Sequence, residues 1–179
     1  MNEVSQSTLP RQDIILDTCV LQYTSDKFIA VELQNYLIGL VKRGFELATS
    51  NISIFELLSG STITNEAKGL KILNLFKNYK IDENLLLAAS QLSTLYDKEK
   101  VPSQDISISD KIIATTAILT GSLIITADIN DFPRPFFETA EEKLFFYQHK
   151  NKTKMKVIQL LRPNQVVISQ RFSERPQGG

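Results

Sequence analysis

Five carboxylates set the chemistry open to this chain. Asp17, Glu56, Asp110, Asp128 and Asp131 are spread over more than a hundred positions, while the 179 residues hold one His and one Cys. Carboxylate oxygens without imidazole or thiolate company are hard ligands that suit Mg²⁺ or Mn²⁺. Acids gathered at one place repel one another unless a cation intervenes. Such a cation lowers the pKa of a water and supports in-line attack on a phosphodiester. The same composition excludes a zinc finger or haem-attachment motif made by this chain alone, and its glycines form neither G-x-G-x-x-G nor a P-loop.

Whether these acids meet depends on the elements that carry them. Residues 13–16 form a short apolar run ending at Asp17, which reads as a buried strand. Residues 28–43 have helical spacing, with Lys42 and Arg43 in the last turn and Gly44 behind them. A second strand is expected over 45–49, then a short helix over 52–58 that carries Glu56 as its only charge, closed by Gly60. A helical stretch over 65–78 and a short strand over 79–81 follow. Asp82 and Glu83 open a long helix to about Lys98, and Ser107 or Ser109 caps another over 110–120, stopped by Gly121. A strand over 123–126 then leads into a loop holding Asp128 and Asp131. Strands alternating with helices predict an α/β domain with a mostly parallel sheet. Ligands of such sheets bind beyond the carboxyl ends of the strands. That logic puts Asp17, Glu56, Asp128 and Asp131 at one edge, with Asp110 able to join them.

Each acid also has an ordinary explanation. Asp17 can cap the next helix, Ser107-x-x-Asp110 fits a capping box, and Asp128 and Asp131 suit Asx-turns. Glu56 fits an exposed helical face. Five such coincidences in one chain are less probable than one.

The C-terminal quarter differs. Residues 1–138 carry net charge −5 and residues 139–179 carry +5, which hints at a polyanionic partner. Runs at 144–148, 155–161 and 166–172 read as three strands, with Arg162-Pro163-Asn164 as a turn, and 173–179 reads as a disordered tail. Lys150, Lys152, Lys154 and Lys156 recur with period two, so an extended segment points them one way. They face RNA phosphate or guard an exposed edge, and the second reading is favoured. Phe132, Phe136, Phe137, Phe145 and Phe146 could stack on bases or pack a dimer, but the favoured reading is that they glue this tail to the core. Cys19 reads as core packing, and His149 as an exposed residue without a ligand role. A lone cysteine, no signal-like start and no apolar run near the ~20 residues of a membrane span point to the cytoplasm.

Four segments make the sequence recognisable: residues 14–21 (IILDTCVL), 53–58 (SIFELL), 109–117 (SDKIIATTA) and 123–132 (LIITADINDF). Together they resemble the PIN domain family, and within it the VapC-like toxins of toxin–antitoxin pairs. The resemblance implies a three-layer α/β/α domain over residues 12–138, after an N-terminal tail of residues 1–11. A basic β-rich extension over 139–172 and the tail at 173–179 are additions to it. It implies a metal-dependent endoribonuclease using Mg²⁺ or Mn²⁺, with Asp17, Glu56, Asp110 and Asp128 as the catalytic metal cluster. Asp131 takes a more variable acidic ligand position, and Thr126 supplies a hydroxyl that orients its loop. An RNA substrate, a cognate antitoxin, a homodimer and no membrane association are implied partners. The alternative is a catalytically inactive PIN-like module for RNA binding or assembly. A haloacid-dehalogenase-type phosphohydrolase needs a second Asp two residues after the first, where this chain has Cys19.

Overall fold

The computed structural model describes residues 11–59, 74–101 and 106–173. The strands are β1 (Asp13–Leu16), β2 (Glu46–Ser50), β3 (Lys77–Tyr79), β4 (Leu123–Thr126), β5 (Phe137–His149) and β6 (Lys152–Pro163). The helices among the described residues are α1 (Thr18–Tyr23), α2 (Ala30–Lys42), α3 (Asn51–Ser59), α4 (Glu83–Lys98), α5 (Ile108–Thr120) and α6 (Gln165–Ser173), with a 3₁₀ turn at Ile129–Asp131. The strands form one six-stranded sheet in the order β3-β2-β1-β4-β6-β5. The first four run parallel, and β6 and β5 close the edge antiparallel. This is the expected mostly parallel α/β architecture, sandwiched between helices.

β1 and β4 are buried at every position and apolar except for Asp13 at the start of β1 and Thr126 at the end of β4, as strands covered on both faces should be. Their alternate residues feed two cores. Ile15 and Ile124 pack with Leu92, Tyr96 and Ile113 of α4 and α5. Ile14, Leu16 and Ile125 pack with Val20, Leu33 and Leu37 of α1 and α2. The order reverses at β1, whose neighbours are β2 and β4, so β1 and β4 flank a switch point of the kind where open α/β sheets bind ligands.

The C-terminal region joins this sheet directly: β6 pairs with β4, matching Ile124 with Leu161 and Thr126 with Gln159. Lys150 and Asn151 join β5 to β6 with both φ values positive, 49° and 60°, the conformation of a tight hairpin turn. The register slips between Thr139 and Glu141, leaving Ala140 as a bulge. Phe137 therefore packs with the α4/α5 core, whereas Phe145 packs with the α1/α2 core.

Several features depart from the sequence-based expectation, among them the turn expected at Arg162-Pro163-Asn164, whose first two residues end β6. Residues 166–172 are helix α6 rather than a strand. Asn164 caps it by accepting from the Val167 N–H at 3.2 Å, and Ile168 and Phe172, four apart, turn one face onto the core. A cap after a proline and helical spacing override the β-branched composition here. Helix α1 was not anticipated, because six residues are too few to show a period. The third strand spans 77–79 rather than 79–81, so the helix expected over 65–78 does not reach residues 74–78; its remainder lies outside the described residues, as do Gly60 and most of both termini. Phe146 is exposed instead of gluing the tail down, whereas Phe132, Phe136, Phe137 and Phe145 are buried.

Truncation tests the union of hairpin and core. Leu161→Ala, in the buried part of β6, is expected to lower urea-unfolding stability by about 2–5 kcal/mol. Met155→Ala, in the exposed part, should stay within about 0.5 kcal/mol of the parent.

Candidate metal centre

Asp17 follows β1 directly and is held from three sides. Its backbone N–H donates to the Ile125 carbonyl at 3.1 Å, continuing the β1–β4 ladder. Its Oδ2 accepts from Thr126 Oγ1 at 2.7 Å and from Cys19 Sγ at 3.0 Å. Asp17 is the N-cap residue of α1, yet its side chain makes no cap hydrogen bond. The ordinary capping explanation therefore fails at this position. Burial raises its pKa against the pull of Thr126 and Cys19, and the nearby Glu56 charge raises it further.

The other acids arrive from three different elements. Glu56 sits on α3 and accepts from Thr18 Oγ1 at 2.5 Å. Asp110 opens α5, where Ser107 Oγ accepts its N–H at 3.1 Å and donates to its Oδ2 at 2.5 Å. Here a capping arrangement does exist, and the carboxylate still faces the other acids. Asp110 is pushed up to about 6 by burial, with Asp17 and Glu56 adding repulsion. Asp128 follows β4; its N–H donates to Thr126 Oγ1 at 2.9 Å, and its Oδ1 accepts from Asn130 N–H at 3.1 Å, the expected Asx-type turn. Asp131 ends the 3₁₀ turn, half-buried. Its pKa is pushed up to about 7 by burial, then by Asp110, Asp128 and Asp17.

All five acids thus share one field at the carboxyl ends of β1 and β4, and none forms an ion pair among the described residues. Among those residues no three are spaced as a ready ligand shell; Glu56 and Asp110 are turned to hydroxyls instead. The donor set nonetheless fits a hard divalent cation. It is all oxygen, three of its carboxyls are held above their ordinary range, and Mg²⁺ needs only one or two carboxylates because it keeps several waters.

Sequence reasoning missed three supporting side chains. Cys19, read as packing, is half-buried and bridges Asp17 to the Ala127 N–H, which donates to Sγ at 3.4 Å. Burial and the Asp17 charge push this thiol up to about 12, so it is no nucleophile. Thr18 orients Glu56. The Tyr96 hydroxyl, buried without a hydrogen-bond partner among the described residues, lies within the field of Asp110. Only the adjacency Asp17-Thr18-Cys19 marked the first two in the sequence.

With this site on that sheet, the class is defined: the chain belongs to the PIN domain family, whose family model matches residues 14–136. Its fold is similar to that of a chain in the Rickettsia felis VapBC2 complex bound to a promoter DNA fragment. That match has a TM-score of 0.57 and 22% identity, over 68% of this chain and 91% of that one. A toxin–antitoxin complex from Klebsiella pneumoniae gives 0.53 at 21% identity, over 68% and 92% of the two chains. DNA-bound VapBC from Salmonella typhimurium gives 0.53 at 18% identity, over 69% and 92%. No curated protein sequence matches the chain.

The raised pKa values have a stability consequence. Unfolded aspartates titrate near ~3.9, whereas Asp110 and Asp131 titrate at about 6 and about 7 in the fold. Between those limits the folded chain binds more protons than the unfolded chain, so stability falls as pH rises. The metal-free melting temperature is expected to drop from pH 5 to pH 8. Asp131→Asn should flatten that drop and raise the pH 8 value by a few degrees. A pH-independent melting temperature in differential scanning fluorimetry would contradict the mutual repulsion.

Proposed function

We propose that this protein is a metal-dependent endoribonuclease, the toxin of a toxin–antitoxin pair. The observation that carries the reading is the convergence of five carboxylates, without a counter-cation side chain among the described residues, at the switch point of a PIN fold. A catalytically inactive module would have no use for acids whose mutual repulsion costs stability.

In this reading Asp17, Glu56, Asp110 and Asp128 hold Mg²⁺ or Mn²⁺, with Asp131 completing the set through direct or water-mediated contact. The cation, when bound, supplies an acidified water and positive charge at the scissile phosphate. The chain's own residues do the rest. Thr126 fixes the Asp17 carboxylate and the start of the Asp128 loop through one hydroxyl. Thr18 and Ser107 aim Glu56 and Asp110. The Asp131 side chain makes no hydrogen bond among the described residues, and its elevated pKa suits it to accept a proton from the attacking water near neutral pH. No side chain acts as nucleophile.

A protein partner accords with the surface. Among the described residues a groove of about 630 Å³ runs along α2, lined by Leu37, Ile38, Val41, Leu47, Leu75 and Phe76. Ile38, Val41 and Leu75 are exposed there, and contiguous apolar surface of this kind marks an interaction site. The solved neighbours are toxin–antitoxin complexes, so a cognate antitoxin is the proposed partner, beside assembly as a homodimer. No helix among the described residues is long and apolar enough to cross a membrane, and a cytoplasmic location follows from the RNA substrate.

The test is cleavage of a mixed RNA pool with Mg²⁺, Mn²⁺ or EDTA. Cleavage is expected only with metal, and Asp17→Asn or Asp110→Asn should reduce it at least a hundredfold while circular dichroism stays unchanged. Metal-independent cleavage, or full activity in either variant, would overturn the assignment. Absence of both cleavage and calorimetric Mn²⁺ binding would favour the inactive module.

A further inference from the structure

We propose that the projecting half of the β5–β6 hairpin is a track for single-stranded RNA leading to the carboxylate edge; the inference rests on the ribonuclease reading above. β6 runs antiparallel to β4, and its last rung at that end pairs Gln159 with Thr126. Residues 152–158 therefore extend beyond the carboxyl end of β4, over about 23 Å at a strand's rise per residue. They pass the same edge where Asp17 and Asp128 sit. The PIN match ends at residue 136, before the hairpin begins.

One face of this projection has the composition of a nucleic-acid surface. Cross-strand pairing puts Lys152 opposite His149, Lys154 opposite Tyr147 and Lys156 opposite Phe145, all on the side of α1 and α2. Lys150, Lys152 and Lys154 are exposed, and no carboxylate pairs with them among the described residues. Aromatic rings thus lie across from the lysines on the neighbouring strand. Phe28 stacks on Tyr147 at 5.3 Å and tilts against His149 at 5.2 Å, with the Lys27 ammonium 4.9 Å from its ring centre. Lysines two apart on a strand lie about 6.7 Å from one another, a repeat suited to successive phosphates of an extended strand. Adjacent rings offer faces for bases.

The surface is tied to the acid site. Lys156 hydrogen-bonds the Tyr23 hydroxyl and lies 3.7 Å from the centre of its ring. Tyr23 ends α1, the helix that Asp17 begins, so one six-residue helix spans from basic track to carboxylates. Edge protection, the reading favoured from sequence, explains the arrangement less well. The exposed apolar residues of the hairpin, Leu144, Phe146 and Met155, alternate with the lysine face and point the other way.

The experiment measures binding of a fluorescein-labelled oligouridylate to the full chain by anisotropy across a salt series. Asp17→Asn in every chain prevents cleavage. Lys152→Gln with Lys154→Gln is expected to lower the slope of log affinity against log salt by about 1.4, the share of two phosphate contacts to a single strand. Lys80→Gln with Lys98→Gln, the same charge loss away from the hairpin, should leave the slope unchanged. Tyr147→Leu should weaken binding about fivefold or more with the slope retained. An unchanged slope in the hairpin variant overturns the track, as does equal loss in both lysine pairs. Retained RNA slope with lost binding of a poly-glutamate peptide overturns it in favour of an acidic protein partner. Metal-dependent cleavage by the Asp17 chain, assayed in parallel, separates the two readings. Cleavage with an unchanged slope removes the track alone, and a lost slope without cleavage removes the nuclease alone.

Discussion

The parallel pairing of β1 with β4 is the contact on which the site depends. Its register sets Ile15 beside Ile124 and Leu16 beside Ile125, and the next rung joins the Asp17 N–H to Ile125. That rung brings the Thr126 hydroxyl to the Asp17 carboxylate across 109 positions of sequence. A slip of one residue would invert every side chain of a buried strand, separating Thr126 from Asp17 and both strands from their helices. The isoleucine-rich cores on either face specify the register, and the acids inherit their positions from it.

The fold also bears a standing electrostatic load. Three aspartates are held above their ordinary pKa range, chiefly by burial and then by the carboxylates around them, Glu56 included. Hydroxyls of Thr18, Ser107 and Thr126 compensate part of this without neutralising it. Neutral donors fix a carboxylate's direction and leave its charge available, whereas a lysine or arginine partner would cancel the charge that recruits a cation. Asp13 makes the contrast. It is a buried acid at the opposite end of β1, paired with Lys77 at 2.6 Å.

Much of this was legible in the sequence where local chemistry and long-range packing agree. The runs at 14–16 and 123–125 are apolar because both faces of their strands are covered, and α5 is announced by Ser107 and Gly121 at its two ends. Simple strand logic puts Asp17, Glu56, Asp128 and Asp131 at one edge and leaves Asp110 able to join them. Less was legible where a short element borrows its stability from neighbours: α1 has six residues, and α6 hides a helical face within β-branched residues. At the site, hydrogen bonds from Cys19 and Thr18 depend on the angle at which α1 leaves β1, which no spacing rule encodes. The hairpin's strands were foreseen, but its pairing with β4 needed the three-dimensional register.

The bulge at Ala140 makes β5 a strand of two parities. Before it, odd-numbered residues such as Phe137 face α4 and α5; after it, odd-numbered residues such as Phe145 face α1 and α2. The bulge absorbs one residue between two intact pairs, Thr139 with Leu161 and Glu141 with Leu160. Losing Ala140 would make those pairs consecutive rungs of a regular ladder and leave Phe145, Tyr147 and His149 on the face they now occupy, whereas a residue lost farther along β5 would invert the side chains beyond it. Along an evolutionary lineage, single-residue length changes should accordingly be tolerated at this one point of β5 and purged from the rest of the strand.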